Sequence, residues 1–324
     1  MSSSMYRQRM RIALALRHHS HRLRSLSSAA AVERRGGPPP IRVAITESAG
    51  RGVFATRPIA AGELIHTAKP VVAHPSPYSP SKVCYYCLRK LGEEEESPAA
   101  AHAHFCSDSC RHHSKVFYEV ERKADWSIFD DHCRAREVKY PFMAKRLACM
   151  VISGAASVDS LDILQPSSLF QETISEARMG EQFELLRRTF VKAQIEENLT
   201  AFLTKEWYIS VLARIRINAF RIELVAGSYE DLLASASASV SADAASGNAV
   251  YMLPSFYNHD CDPNAHILWI DNVDARLKAL RDIEAGEELR ICYIDASMDY
   301  GARQNLLTEG FGFRCSCLRC LSRD

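Results

Sequence analysis

The spacing of apolar positions divides the chain into strand-like ends and a helix-like middle. Ile41-Arg42-Val43-Ala44-Ile45 alternates and runs into Ser48-Ala49-Gly50-Arg51-Gly52, which predicts a strand entering a tight turn. Val53–Thr56 resumes the strand, Ala60-Ala61-Gly62 turns, and residues 64–72 predict another strand region. The pattern between 111 and 230 is helical: Phe183, Leu186, Phe190 and Ala193 share one face, and Trp207, Val211 and Ile215 another, with Thr204 placed as N-cap. Residues 232–247 are nearly all Ala and Ser and read as a flexible loop. Strands are expected again at 266–271, 275–280 and 288–294, followed by a last helix capped by Asp295 and stopped at Gly310.

Composition adds little to that outline, but charge adds a division. The 324 residues are 47% hydrophobic and 24% charged, as in ordinary globular proteins, and hold no apolar run long enough to span a bilayer as a helix. The net charge of +1 is uneven: residues 1–38 carry eight Arg against Glu33, which leaves the remainder acidic overall. An acidic body is not the basic footprint of a general nucleic-acid binder, so neither nucleic acid nor membrane is an expected partner. The leader is rich in Arg, Ser and Ala, with no acid before Glu33, and reads as an organelle transit peptide, mitochondrial before plastid. A disordered basic tail or a nuclear-import patch is the other reading.

Eleven cysteines are many, and eight of them fall at metal-ligand spacing. Cys84, Cys87, Cys106 and Cys110 form one set; Cys315, Cys317 and Cys320 form a second that lacks a local fourth ligand. Three further segments carry chemistry. Gly50-Arg51-Gly52 is a turn where the missing Cβ atoms would let a ligand approach the backbone. Asn258-His259-Asp260-Cys261-Asp262-Pro263-Asn264 offers amide donors and acceptors in one loop, and Gly286–Tyr293 is a strand that ends on a tyrosine.

Together these segments resemble the SET domain of protein-lysine methyltransferases. They match its Asn-His-Ser-Cys-x-Pro-Asn signature, its Gly-Glu-Glu-Leu-x-x-x-Tyr strand and its cysteine-rich post-SET tail. The layout is similar to the SET-and-MYND branch and to the plant trithorax-related histone-lysine methyltransferases. The resemblance implies an α+β fold of small curved sheets with a pseudoknot, split by a zinc finger and a helical insertion. It divides the chain into leader 1–38, first SET part 39–83, degenerate MYND-like finger 84–110, helical insertion 111–231, loop 232–247, SET core 248–296 and post-SET 297–324. It also implies S-adenosylmethionine bound by Gly50, Arg51, Gly52, Asn218, Asn258, His259, Tyr293 and Phe313, and Tyr293 as the catalytic tyrosine, with Tyr257 a second hydroxyl in the lysine channel. Cys261 becomes the fourth ligand of the tail cluster, so two zinc ions are expected. Asp260 departs from the usual Ser, and residues 88–105 lack the further Cys pair of a complete MYND finger. The expected partner is a protein or peptide presenting a lysine, of histone type by resemblance. The rival readings are a non-histone organelle substrate and a catalytically weak SET module kept for interaction.

Overall fold

The computed structural model describes residues 37–78, 80–92, 103–167, 176–224 and 245–324. The leader before 37 and most of the 232–247 loop lie outside the described residues, as do Glu93–Glu96 and His102. The architecture is α+β, with three small sheets and a set of helices.

The first sheet carries the chemistry. Strand β1 (Ile41–Ile45) pairs antiparallel with β2 (Arg51–Ala55), Val43 opposite Val53. Their turn is fixed by Thr46, whose Oγ1 donates to the Gly50 carbonyl at 2.9 Å and accepts from Ala49 N–H at 2.9 Å. Gly50 has φ +71°, a conformation that suits glycine. On its other side β2 pairs with β10 (Glu288–Ile291), and β10 pairs parallel with the two-residue β7, Asn258–His259. The second sheet runs β3 (Leu64–Ala68), β9 (Ala275–Ala279), β8 (Ala265–Leu268); the third runs β4 (Val72–Pro75), β6 (Gly247–Val250), β5 (Ala219–Ile222).

Strand β6 corrects the expected loop. Ser246 and Gly247, assigned by composition to 232–247, are buried, and Gly247 opens the central strand of the third sheet. Small residues suit that place, because a Cβ on Gly247 would press on the main chain of His74 in β4.

The finger leads into α1 (Asp108–His113) and α2 (Lys115–Glu121), then α3 (Ser127–Ala135), α4 (Tyr140–Ile152), α5 (Glu176–Lys192), α6 (Glu197–Thr200) and α7 (Lys205–Asn218). Thr204 caps α7 as expected, accepting from Trp207 N–H at 3.1 Å. Helix α4 is buried nearly all round and is the centre of the helical core, with Phe129, Leu186, Tyr208 and Ile215 packed about it. Its Arg146 crosses to the finger. The guanidinium lies 4.1 Å from the ring centroids of both Tyr85 and Phe117, pairs with Glu121 at 3.2 Å and donates to the Ala73 carbonyl at 2.6 Å. The tail helices are α8 (Tyr300–Phe311) and α9 (Leu318–Leu321). Asp299 rather than Asp295 caps α8, accepting from Ala302 N–H at 2.9 Å, while Asp295 closes a turn on Ser297. Gly312, in the left-handed region at φ +80°, ends it two residues beyond Gly310. No described helix is long and apolar enough to cross a membrane.

Candidate active site and metal centres

The glycine turn and the Asn-His segment meet because β2, β10 and β7 are neighbours in one sheet. Asn258 Nδ2 donates to the Arg51 carbonyl at 3.1 Å and to Glu288 Oε1 at 2.8 Å. Glu288 is held in turn by Arg290 at 2.6 Å. A Cβ on Gly52 would lie 2.6 Å from Glu288 Oε1, 2.7 Å from Thr46 Cγ2 and 3.1 Å from Asn258 Nδ2, so this corner has no room for a side chain. Behind it, Asn218 at the end of α7 uses Nδ2 on the carbonyls of Gln165 and Arg214, at 2.9 and 2.7 Å. Gln165 Nε2 in turn lies 3.4 Å from where a Cβ of Gly50 would stand, which brings Asn218 and the glycine turn to one place. Both asparagines thus anchor their amide nitrogens on the protein and leave their Oδ1 atoms to accept. The Arg51 guanidinium lies over Phe256, 4.7 Å from its ring centroid, and donates to the Ile163 carbonyl, so Arg51 reaches the corner through its main chain.

Tyr293 follows β10, and its hydroxyl donates to the Tyr257 carbonyl at 2.5 Å. Burial, with Glu288 nearby, pushes its pKa up, so it is a neutral phenol at ordinary pH. Its N–H donates to His259 Nδ1 at 3.1 Å, which leaves Nε2–H to face Cys261 Sγ at 3.3 Å. Burial lowers the His259 pKa to about 4, consistent with that neutral tautomer. Phe311 and Phe313 stand beside the phenol, with ring centroids 5.0 and 6.4 Å from it, and Phe313 also faces His259 at 6.0 Å.

Tyr257 differs from the expectation of a second channel hydroxyl. Its side chain is fully buried, its hydroxyl lies 3.0 Å from His66 Nε2 in the sheet core, and its carbonyl is the group that meets Tyr293. Four contributors were missed. Gln165 and Ile163 come from the insertion, with no local motif to mark them. Phe311 stands two residues before Phe313. Asn264 stitches the loop to β10, donating to Glu287 Oε1 at 3.0 Å and to the Glu288 carbonyl at 2.8 Å and accepting from Arg290 N–H at 2.8 Å. Its place in the Asn-His motif was the signal that could have found it.

The eight cysteines gather as the spacing and, for Cys261, the resemblance imply: Cys84, Cys87, Cys106 and Cys110 in one group, Cys261, Cys315, Cys317 and Cys320 in the other, with all sulfurs in a group within 4.8 Å of one another. Sulfur separations are 3.6 Å for both Cys87–Cys106 and Cys106–Cys110, and 3.5 and 3.9 Å from Cys261 to Cys320 and Cys315. Four thiolates about 2.3 Å from a central zinc stand roughly 3.8 Å apart, so both groups fit a tetrahedral ion. No two cysteines form a disulfide. Burial pushes the thiol pKa of Cys261 up and that of Cys315 to about 12, so a bound cation would favour the thiolate at these two positions.

A glycine-lined corner facing two asparagines, a tyrosine among aromatic rings and a four-cysteine tail joined to the corner through Cys261 define a SET-type site. The SET domain model matches residues 50–294, and the chain belongs to that family. A relative from Arabidopsis thaliana, histone-lysine N-methyltransferase ATXR4, is 60% identical over 303 residues, 92% of each chain. A SET and MYND domain-containing protein of Dictyostelium discoideum is 26% identical, covering 80% of this chain and 77% of its own. The protein-lysine N-trimethyltransferase SMYD5 of Gallus gallus is 26% identical, covering 86% and 85%.

Proposed function

We infer that this chain is an S-adenosylmethionine-dependent protein-lysine N-methyltransferase of the histone-lysine type. One observation carries the reading: the Tyr293 hydroxyl is fixed on the Tyr257 carbonyl at 2.5 Å, on the sheet that also carries the Gly50–Gly52 turn and Asn258. The name of the 60% identical Arabidopsis thaliana relative supports the histone type.

S-adenosylmethionine, when bound, supplies a methyl group already activated on a sulfonium. The chain's task is then positioning. The bare backbone at Gly50 and Gly52 accepts a ligand against the main chain, and the Oδ1 atoms of Asn218 and Asn258 would take its ammonium. Phe313 and His259 would flank its adenosine end. Because Tyr293 uses its proton on Tyr257, its oxygen lone pairs remain to orient a lysine amine. A neutral phenol is no general base: the aromatic walls of Phe311 and Phe313 keep the amine dry, which favours its uncharged form. The four-cysteine tail would hold zinc and lock those walls beside Tyr293, and the finger would hold a second zinc.

Recombinant histones and a whole-cell extract, incubated with the full chain and radiolabelled cofactor, test the reading. Label on lysine supports it, and label that stays on histones alone supports the histone type. Failure of calorimetry to detect cofactor binding by zinc-loaded protein would overturn the enzyme reading in favour of an interaction module. The arginine-rich leader favours a second substrate setting, a non-histone protein of mitochondria or plastids. A reporter fused to residues 1–40 decides it, since purely nuclear signal removes the organelle reading.

A further inference from the structure

We propose that Arg303 is the charge-balancing outer partner of the tail metal site, a positioning residue on which metal retention depends. The proposal rests on reading Cys261, Cys315, Cys317 and Cys320 as a metal centre. Arg303 sits in the first turn of α8 and is 0% exposed. One of its terminal nitrogens donates to the Met298 carbonyl at 2.6 Å; the other meets Cys320 Sγ at 3.9 Å and the main-chain oxygen of Asp324. Its Nε has no partner, and among the described residues no Asp or Glu side chain pairs with it.

A guanidinium stays charged wherever it is placed, and a fully buried one needs a counter-charge. The Asp324 main-chain oxygen supplies part of it, and neutral thiols add little. Four thiolates around a divalent ion leave a net charge of about −2 on the sulfurs, and Arg303 lies where that charge develops. The arrangement therefore suits a loaded cluster better than an empty one. The next residue adds a clamp on the ligand backbone: Gln304 Nε2 donates to the Cys315 carbonyl at 2.8 Å, and its Oε1 accepts from Cys315 N–H at 3.1 Å. The far end of the same helix carries Phe311 and leads to Phe313, the rings beside Tyr293. Loss of the metal would thus loosen the aromatic wall as well as the tail.

The test compares the full chain with Arg303→Met and Arg303→Lys, following zinc release to a chromogenic chelator under native conditions. The finger zinc is the internal reference, and Cys317→Ser identifies the tail phase by removing it. Arg303→Met is expected to release the tail zinc at least about tenfold faster while the finger phase is unchanged; Arg303→Lys, which keeps the charge without the fork, falls between. Wild-type release from Arg303→Met overturns the proposal and leaves Arg303 as a tie for Asp324. Equal acceleration in Met and Lys variants overturns the charge argument. Should Arg303→Met fail to fold, cobalt-substituted Arg303→Lys carries the test: a thiolate-to-metal absorption spectrum identical to wild type in position and stability overturns the proposal. A wild-type chain that binds one zinc, in the finger alone, refutes the metal reading itself and is distinguished by metal analysis before any variant is made.

Discussion

Gly52→Ala is a severe test of the corner, because its effect can be worked from distances. The added carbon would stand 2.6 Å from Glu288 Oε1 and 2.7 Å from Thr46 Cγ2, both inside any real contact distance. Glu288 cannot simply swing away, since one oxygen holds Asn258 at 2.8 Å and the other Arg290 at 2.6 Å. Overpacking of this kind costs about 1–3 kcal/mol, and a hydrogen bond to a charged group lost with it adds about 1.5–3 kcal/mol. Partial relaxation puts the sum at roughly 2–4 kcal/mol, a fall in thermal midpoint of about 3–7 °C. Moving Asn258 also removes an acceptor from the cofactor corner, so affinity for S-adenosylhomocysteine should weaken at least about tenfold, about 1.4 kcal/mol. Scanning calorimetry and titration calorimetry read the two effects. Gly310→Ala is the control, because nothing lies within 4 Å of its would-be Cβ. It lies inside α8, so Ala there should stabilise by about 0.5–1 kcal/mol and leave affinity unchanged. A Gly52→Ala protein with wild-type midpoint and wild-type affinity would refute the close-approach argument.

Tyr293→Phe should lower turnover or change the number of methyl groups added while cofactor affinity survives; mass spectrometry of a lysine peptide showing wild-type rate and product pattern would contradict the positioning role. Arg146→Met strips the counter-charge from Glu121, which is 4% exposed, so urea unfolding should show a loss of about 3–5 kcal/mol. A loss below about 1 kcal/mol would mean the pair contributes little to the helical core. His74 is fully enclosed, and burial, then Arg146 and Lys145, hold its pKa well below the usual histidine value. A depressed folded pKa means that the unfolded chain takes up the proton first, so this stability is intact above about pH 6.5 and is lost as pH falls below it. His74→Asn should therefore narrow the difference in urea midpoint between pH 7.5 and 5.5, and an unchanged difference would discount His74.

The parts of the site legible in the sequence are those whose chemistry is local. A left-handed turn demands Gly50, a tetrahedral ion draws thiols in pairs at short spacings, and Asn258-His259 falls on two consecutive residues. Strand β6 was not legible, because its Gly and Ala are chosen by the close approach of β4 and not by any strand preference of their own. The cap of α8 was misplaced by four residues because Asp295 and Asp299 are equivalent as sequence; Ser297 N–H, bonded to Asp295 at 2.8 Å, occupies the first of them. Tyr257 was misread for a related reason. Its neighbour in the motif faces the corner, but successive residues of extended chain point to opposite sides, and its ring falls on the His66 side.

What the sequence could not show is how segments so far apart are held at one corner. The turn at 46–52, Gln165, Asn218, the 256–264 loop, β10 and the tail are brought together across the finger and the helical insertion, and no short-range contact fixes them. The structure answers with cross-links placed where each segment enters. Arg51 on the Ile163 carbonyl ties the glycine turn to the insertion, where Asn218 holds the neighbouring Gln165, Asn264 on Glu287 and Glu288 ties the loop to β10, and Cys261 with the tail cysteines ties the last helices to the same loop. His259 sits where two of these meet, with Nδ1 on the Tyr293 backbone and Nε2 toward Cys261. A site assembled in this way should fail as a unit. Removing one cross-link leaves the remaining segments with too few contacts to keep the phenol, the aromatic rings and the glycine turn in register, so double substitutions across Asn218, Asn264 and Cys261 should cost less than the sum of the single ones.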